Sequence, residues 1–266
     1  MSPSPTTRPS NPPVTVVIPA RFGSSRFPGK PLADVGGKPL IQRVYECVSA
    51  ASGISDTLVA TDDRRIVDAV KQFGGSAILM DGAFRTGTDR VAAVAARRPG
   101  QIFVNLQGDE IMLHPGLLTD LIQAFLASDA PMGTLKRRLT SAAEVLNPAV
   151  VKVVTGVNGD ALYFSRAPIP HLRDVPTGDI STGLYYIHLG IYIYRREALL
   201  RFADLPAGRL EEAEKLEQLR ALEHGIPIRV WETEHPSLRV DAPEDLHDAA
   251  EKLRHFGSDS HTKVAL

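Results

Sequence analysis

The run Val14-Thr15-Val16-Val17-Ile18 is β-branched and lacks an alternating polar face, which predicts a strand buried on both sides of a sheet. Behind it, segments with helical spacing alternate with further short apolar runs. A helix is predicted from Pro39, a strand over 57–61, a helix from Arg64, a strand over 76–80, a helix from Asp89 and a strand over 101–107. Such β-α-β alternation predicts an α/β fold with a mainly parallel sheet and helices on both faces. Right-handed crossovers then place the loops at 19–31, 61–63, 81–88 and 107–114 along one edge, where open α/β sheets bind ligands. Those loops hold most of the polar motifs.

From about residue 130 the texture changes to strands separated by short polar segments, over 132–139, 150–155, 161–164 and 187–194. This pattern fits either an antiparallel extension of the sheet or an inserted subdomain carrying a dimer contact. Helical spacing returns over 211–223, a strand follows over 228–231, and a last helix is expected from Pro243 with Glu244 and Asp245 in its first turn.

Composition adds limits. The chain has 266 residues, 43% of them hydrophobic, ample for a core. A net charge of −1 and a pI near 6.7 leave no footprint for nucleic acid, so an anionic ligand must be met by a focused pocket. One cysteine, Cys47, excludes an intramolecular disulfide, and its apolar helical surroundings suggest a buried thiol. Residues 1–12 are rich in Ser, Pro and Thr, lack the apolar region of a signal peptide and are expected to form a disordered arm. No run approaches the roughly twenty apolar residues of a membrane span, so no membrane partner and a cytoplasmic location are expected.

The candidate chemistry begins directly after the first strand. Arg21, Arg26 and Lys30 place three cations on a loop that also carries Gly23 and Gly29. Guanidinium and ammonium groups neutralise non-bridging oxygens while glycine admits close main-chain approach, so this loop suits a polyphosphate; the plain alternative is an exposed basic turn. Neither GxGxxG nor GxxxxGK[ST] is present. Asp109 follows an apolar strand and Gly108, a place for a Mg²⁺ ligand or for the cap of the next helix. Asp241, ahead of the Pro243 helix, reads locally as a cap. Gln107 offers both a donor and an acceptor to a hydroxyl. In Thr86-Gly87-Thr88-Asp89-Arg90, Thr88 is the expected helix cap, and Arg90 faces outward or into the site. Arg166 could hold a carboxylate or lie on the surface, and His188, between apolar residues, reads as a core histidine. Glu211, Glu212, Glu214 and Glu217 read as a solvated acidic helix face.

These motifs have a known counterpart. Pro19-Ala20-Arg21, Ser25-Arg26-Phe27-Pro28-Gly29-Lys30-Pro31-Leu32 and Gln107-Gly108-Asp109-Glu110 resemble the 3-deoxy-manno-octulosonate cytidylyltransferase (CMP-Kdo synthetase) family. The resemblance continues in family order from about residue 14 to 255, through Thr86-Gly87-Thr88-Asp89-Arg90, His188-Leu189-Gly190-Ile191-Tyr192, Leu216-Glu217-Gln218-Leu219-Arg220 and Val240-Asp241-Ala242-Pro243. It implies a Rossmann-like nucleotidyltransferase sheet and a Mg²⁺-dependent reaction of CTP with a 3-deoxy-ulosonic acid, giving the CMP-sugar and pyrophosphate. It implies metal ligation by Asp109 and Asp241, and catalytic roles for Arg21, Arg26 and Lys30 beside them. Nucleotide contacts are implied for Ala20, Arg21, Gly23, Ser24, Arg26, Lys30, Thr86, Gly87, Thr88, Arg90, Gln107 and Asp109. Sugar-acid contacts are implied for Gln107, Arg166, His188, Glu211 and Gln218. A single nucleotidyltransferase domain over 13–256, with a sugar-binding or dimerisation extension at about 130–200 and a tail over 257–266, is expected, as is a homodimer. The alternatives are cytidylyl transfer to another nonulosonic acid or a phosphonate, and a nucleotide-binding regulator without turnover.

Four positions depart from the family pattern: Ile187 stands where arginine precedes His-Leu-Gly, Ile193 where a small residue follows Ile-Tyr, Ile111 where proline follows Gln-Gly-Asp-Glu, and Arg239 where glycine precedes Val-Asp. The nucleotide loop keeps the pattern, so retained CTP use with a variant acceptor is expected.

Overall fold

A computed structural model of the chain describes residues 12–23, 27–82, 84–112 and 114–259. The first half alternates as its sequence predicts: β1 (Val14–Ala20), α1 (Leu40–Ser49), β2 (Asp56–Thr61), α2 (Arg64–Gln72), β3 (Ala77–Leu79), α3 (Gly87–Arg97) and β4 (Ile102–Leu106). A short strand β5 (Glu110–Met112) and helix α4 (Gly116–Leu126) follow. The second half comprises β6 (Met132–Arg138), α5 (Ala142–Leu146), β7 (Lys152–Thr155), β8 (Ala161–Ser165), β9 (Tyr186–Arg195), α6 (Arg196–Asp204), α7 (Arg209–Glu214), α8 (Leu219–Glu223), β10 (Ile228–Glu232), β11 (Ser237–Arg239) and α9 (Asp245–Asp259).

The main sheet runs β10-β6-β9-β4-β1-β2-β3. β1 pairs in parallel with β2 and β4, β2 with β3, and β6 with β10, whereas β9 is antiparallel to both β4 and β6. Every strand of that path except β9 therefore points its C-terminal end the same way, and the loops after β1, β2 and β4 share one edge. β7 pairs with β8 and with β9, so the strand-rich segment joins the main sheet as an antiparallel extension.

β1 is buried at every position because its alternate residues feed two cores. Val14, Val16 and Ile18 pack with α1, α4 and α9 through residues such as Leu40, Leu121 and Ala249. Val17 packs on the other face with Val91 of α3, Phe202 of α6 and Leu219 of α8. Cys47 lies against the first of these cores, and burial pushes its thiol up to about 11, which makes it an inert packing residue.

Several boundaries differ from the sequence expectation for identifiable reasons. The helical run over 211–223 breaks in two, because Lys215 closes α7 with φ 54 in the left-handed region. The last helix begins at Asp245 rather than Pro243. Helix α3 is capped by Thr86, not Thr88: the Thr86 hydroxyl accepts from the Asp89 amide at 3.1 Å while Asp89 Oδ2 accepts from the Thr86 amide at 3.3 Å. The reciprocal box fixes the helix start, and Thr88 is then a buried residue of its first turn.

Candidate active site

The loop after β1 closes on itself at its base, where the Gly29 amide donates to the Phe22 carbonyl at 2.9 Å. Gly29 has φ 75, a left-handed conformation in which glycine is favoured. The next residue, Lys30, turns its ammonium inward, donating to Asp109 Oδ2 at 2.6 Å and to the Val240 carbonyl at 2.9 Å. Arg21 is exposed at the other end of the loop. Ser24 and Arg26 lie outside the described residues.

An open cleft of about 310 Å³ lies beside this loop. Pro19, Ala20 and Arg21 form one wall, Phe84, Thr86, Gly87 and Arg90 a second, and Gln107 reaches in from the end of β4. Two glycines make room here. A Cβ on Gly87 would stand 3.0 Å from Gln107 Oε1, and one on Gly108 would stand 3.0 Å from the Pro19 carbonyl. A polar chain underlies this wall: Gln107 donates to Asn105 Oδ1 at 3.0 Å, Asn105 donates to the Thr88 hydroxyl at 3.0 Å, and Thr86 donates to Glu217 Oε1 at 2.9 Å. Arg90 is buried and engaged with the Ala20 carbonyl at 2.9 Å and Asp62 Oδ2 at 2.7 Å. It joins the ends of β1, β2 and α3 and so shapes the cleft.

Asp109 and Asp241 converge through an element too short to read from sequence. β5 and β11 form a two-stranded antiparallel sheet in which Glu110 pairs with Arg239, and the Val240 amide extends the ladder to the Asp109 carbonyl at 3.0 Å. Asp109 is not a helix cap, since α4 starts only at Gly116 behind Pro115. Nor does Asp241 cap α9: Asp245 Oδ2 instead accepts from the Asp241 and Ala242 amides at 2.7 and 2.9 Å and pins that turn. Arg239 approaches Asp241 Oδ2 at 3.1 Å, so this departure from the family pattern meets an expected metal ligand. Between the aspartates, Glu110 is buried, and desolvation pushes its carboxyl up to about 7 against the hydrogen bond from Ser237. Among the described residues no third metal-binding side chain joins these carboxylates. Two hard oxygen donors at a strand edge suit Mg²⁺, which keeps water and substrate oxygens in its remaining positions.

The expected acceptor residues already have partners. Arg166 donates from Nε to the Glu214 carbonyl at 2.8 Å and from a terminal nitrogen to the Pro148 carbonyl at 3.0 Å. Ser165 and the Arg166 amide donate to the Glu214 carboxylate at 2.5 and 3.0 Å. Glu211 receives the buried Arg220 guanidinium as a fork, at 2.8 and 2.6 Å. Burial alone would raise its carboxyl, yet the Arg220 pair holds it below the usual range. Gln218 is buried at the start of α8. His188 Nε2 lies 3.0 Å from the Thr134 hydroxyl, with Phe164 edge-on at 4.9 Å, and burial pushes its pKa down to about 3. Ile187 stands across from Arg137 on β6 and Lys152 on β7, so cations flank the position.

Two residues beyond those expected stand out. Tyr192 carries a buried hydroxyl with no hydrogen-bond partner among the described residues, next to His188 at a ring distance of 5.3 Å. Glu217 receives Thr86, and withdrawal from water raises its carboxyl. The sequence signal for Glu217 was its place beside Gln218, obscured by the surrounding acidic run.

The family model for cytidylyltransferases matches residues 15–230. The 3-deoxy-manno-octulosonate cytidylyltransferase of Trichlorobacter lovleyi is 50% identical over 91% of this chain and 98% of its own, and that of Geobacter sulfurreducens is 49% identical over 91% and 99%. A solved CMP:2-keto-3-deoxy-manno-octonic acid synthetase complexed with CTP superposes with a TM-score of 0.83 at 43% identity, covering 93% of this chain and 99% of that one. A putative glucose-1-phosphate thymidylyltransferase from Bacillus anthracis shares the fold at 17% identity, with a TM-score of 0.62 over 91% of this chain and 95% of that one.

Proposed function

Because this chain belongs to the 3-deoxy-manno-octulosonate cytidylyltransferase family, we propose that it transfers the cytidylyl group of CTP to 3-deoxy-manno-octulosonate or a close variant, giving the CMP-sugar and pyrophosphate. The observation that carries this reading is the meeting of Lys30, Asp109 and the 240–241 turn beside a cleft walled by Arg21, Gly87 and Gln107. In this reaction the anomeric oxygen bonds to the α-phosphorus in line as the bond to the bridging oxygen breaks, the hydroxyl proton passes to solvent, and pyrophosphate leaves with the electron pair. Arg21, Arg26 and Lys30 neutralise the phosphate oxygens as charge moves to the leaving group. Gln107, backed by Asn105, orients a hydroxyl at the junction of the two substrates. Asp109 and Asp241 would hold Mg²⁺, which when bound supplies charge neutralisation at the α-phosphate and lowers the pKa of the attacking hydroxyl.

Ala20, Gly23, Ser24, Thr86, Gly87, Thr88 and Arg90 frame the nucleotide, and Arg166, His188, Glu211 and Gln218 frame the sugar acid. The last set acts in this reading by exchanging internal partners for substrate or by supporting neighbours such as Tyr192. Exposed apolar side chains on and beside the β7–β8 hairpin, Val157 and Leu162 with Leu146 and Leu184, support a homodimer through the extension. No described helix is long and apolar enough to cross a membrane, and a cytoplasmic location fits nucleotide-dependent activation.

Pyrophosphate release should be measured with CTP, UTP, ATP and GTP against 3-deoxy-manno-octulosonate, other nonulosonic acids and phosphonates. Release with CTP and the octulosonate supports this reading. Release only with another acid moves the acceptor, and binding of CTP without release under any pair makes the protein a regulator.

A further inference from the structure

We propose that Arg65, at the start of α2, is a positioning residue that clamps the base of the phosphate-binding loop through the ring of Phe22. The Arg65 guanidinium carbon lies 3.4 Å from the centre of the Phe22 ring, stacked on its face. The guanidinium is held there by Asp63, which receives Nε at 2.9 Å and a terminal nitrogen at 2.6 Å. Asp63 is fixed in turn as the cap of α2, since its Oδ1 also accepts from the Arg65 amide at 2.9 Å. The edge of the Phe22 ring meets the backbone of Gly29, where an added Cβ would stand 3.1 Å from Phe22 Cζ. Phe22 and Gly29 are also the residues whose backbone hydrogen bond closes the loop.

The chain of contact therefore runs from Asp63 to Arg65, Phe22, Gly29 and then Lys30, whose ammonium sits on Asp109. A cation in the first turn of a helix opposes the helix dipole, and α2 has no acidic residue there to offset it. Such a placement is unfavourable for α2 itself and finds its compensation in Asp63 and the aromatic face. Lysine cannot substitute, because the contact needs a planar group that stacks and forks at once. Arg65 is not among the residues that line the cleft and bonds Asp63 rather than Asp109 or Asp241; its effect passes through the loop.

The catalytic part of this inference rests on the proposed cytidylyl transfer, whereas the clamp itself has a readout that does not. Hydrogen exchange at the amides of residues 27–30 should be followed in the substrate-free full chain for wild type, Arg65→Ala, Arg65→Lys, Phe22→Leu, Phe22→Tyr and the Arg65→Ala/Phe22→Leu double variant. Exchange at Gly29 is expected to quicken at least about fivefold in Arg65→Ala, Arg65→Lys and Phe22→Leu, to stay at the wild-type rate in Phe22→Tyr, and to be no faster in the double variant than in the singles. Steady-state rates should then show KM for CTP raised about fivefold in the same variants with kcat within twofold, and a thermal midpoint within a few degrees of wild type. Unchanged exchange in Arg65→Ala, wild-type behaviour of Arg65→Lys, or a double variant equal to the product of the singles overturns the clamp. A wild type without turnover but with the expected exchange pattern would instead overturn the reaction assignment and leave the clamp standing.

Discussion

Around the cleft proposed for the nucleotide, room is left at the strand ends, whereas among the residues proposed for the acceptor the polar groups are turned toward one another. Arg21 is exposed, and Gly87 and Gly108 leave no side chain where a Cβ would crowd Gln107 or the Pro19 carbonyl. By contrast, Arg166 is tied to Glu214, Glu211 to Arg220 and His188 to Thr134. Polyphosphate recognition depends on backbone approach and a few fixed charges, which a rigid loop edge provides in advance. Recognition of a sugar acid depends on many directed hydrogen bonds, and the residues proposed to make them already hold internal partners.

The largest expected effect lies where the two sides meet. Asp109→Asn and Asp241→Asn should each lower kcat/KM by at least about 100-fold while the thermal midpoint holds, because both groups sit at a loop edge rather than in the core. Titrating Mg²⁺ into each variant checks the cause: normal metal dependence in either one removes that residue from the metal site.

Arg220→Ala probes the acceptor side. It would leave Glu211 partly buried at the start of α7 without its charge partner, so a loss of about 2 kcal/mol in stability is expected, far more than any effect on KM for CTP. Chemical denaturation beside CTP kinetics reads both. A variant of full stability with a raised KM for the sugar acid would instead make Glu211 and Arg220 parts of the binding surface first.

Lys30→Ala sharpens the nucleotide side. Losing a charge-assisted contact at the leaving group should reduce kcat/KM for CTP by about 2 kcal/mol in transition-state terms, roughly 30-fold, and the same variant should leave acceptor affinity unchanged.

The smallest effect concerns pH. His188 is a neutral buried imidazole whose pKa falls from the ordinary 6.5 to about 3, so the unfolded chain takes up a proton that the folded chain refuses. Its contribution is nil well above pH 6.5 and destabilising from there down to about 3; at pH 5.5 it is on the order of 1 kcal/mol. The stability difference between pH 7.5 and 5.5 should therefore shrink by about that amount in His188→Asn, and an unchanged difference would place the imidazole in contact with water.

How much the sequence disclosed follows the same division. Turn chemistry at the end of β1, with Arg21, Gly29 and Lys30, suggested a phosphate loop because glycine and cations act locally, and the structure shows the Gly29 turn and the inward Lys30 that this reading needs. For the aspartates the local signal left metal ligand and cap open at Asp109 and read as a cap at Asp241, and it did not reveal their meeting, since β5 and β11 are three-residue strands far apart in the chain. The residues proposed for the acceptor rested mainly on family resemblance, with only Gln107 and Arg166 offering a local chemical hint. Their partners stand far off in sequence, as with Arg166 and Glu214, so no local period exposes the pairing. The misplaced cap at Thr88 had a readable correction, because Thr86 and Asp89 carry the spacing of a capping box.

The central claim is the reaction itself, and phosphorus NMR of the protein incubated with CTP, Mg²⁺ and 3-deoxy-manno-octulosonate tests it most directly. The account predicts loss of the CTP resonances with one-to-one growth of pyrophosphate and a CMP diester, in wild type and not in Asp109→Asn. Unchanged CTP, or its conversion to CDP and inorganic phosphate, would contradict it.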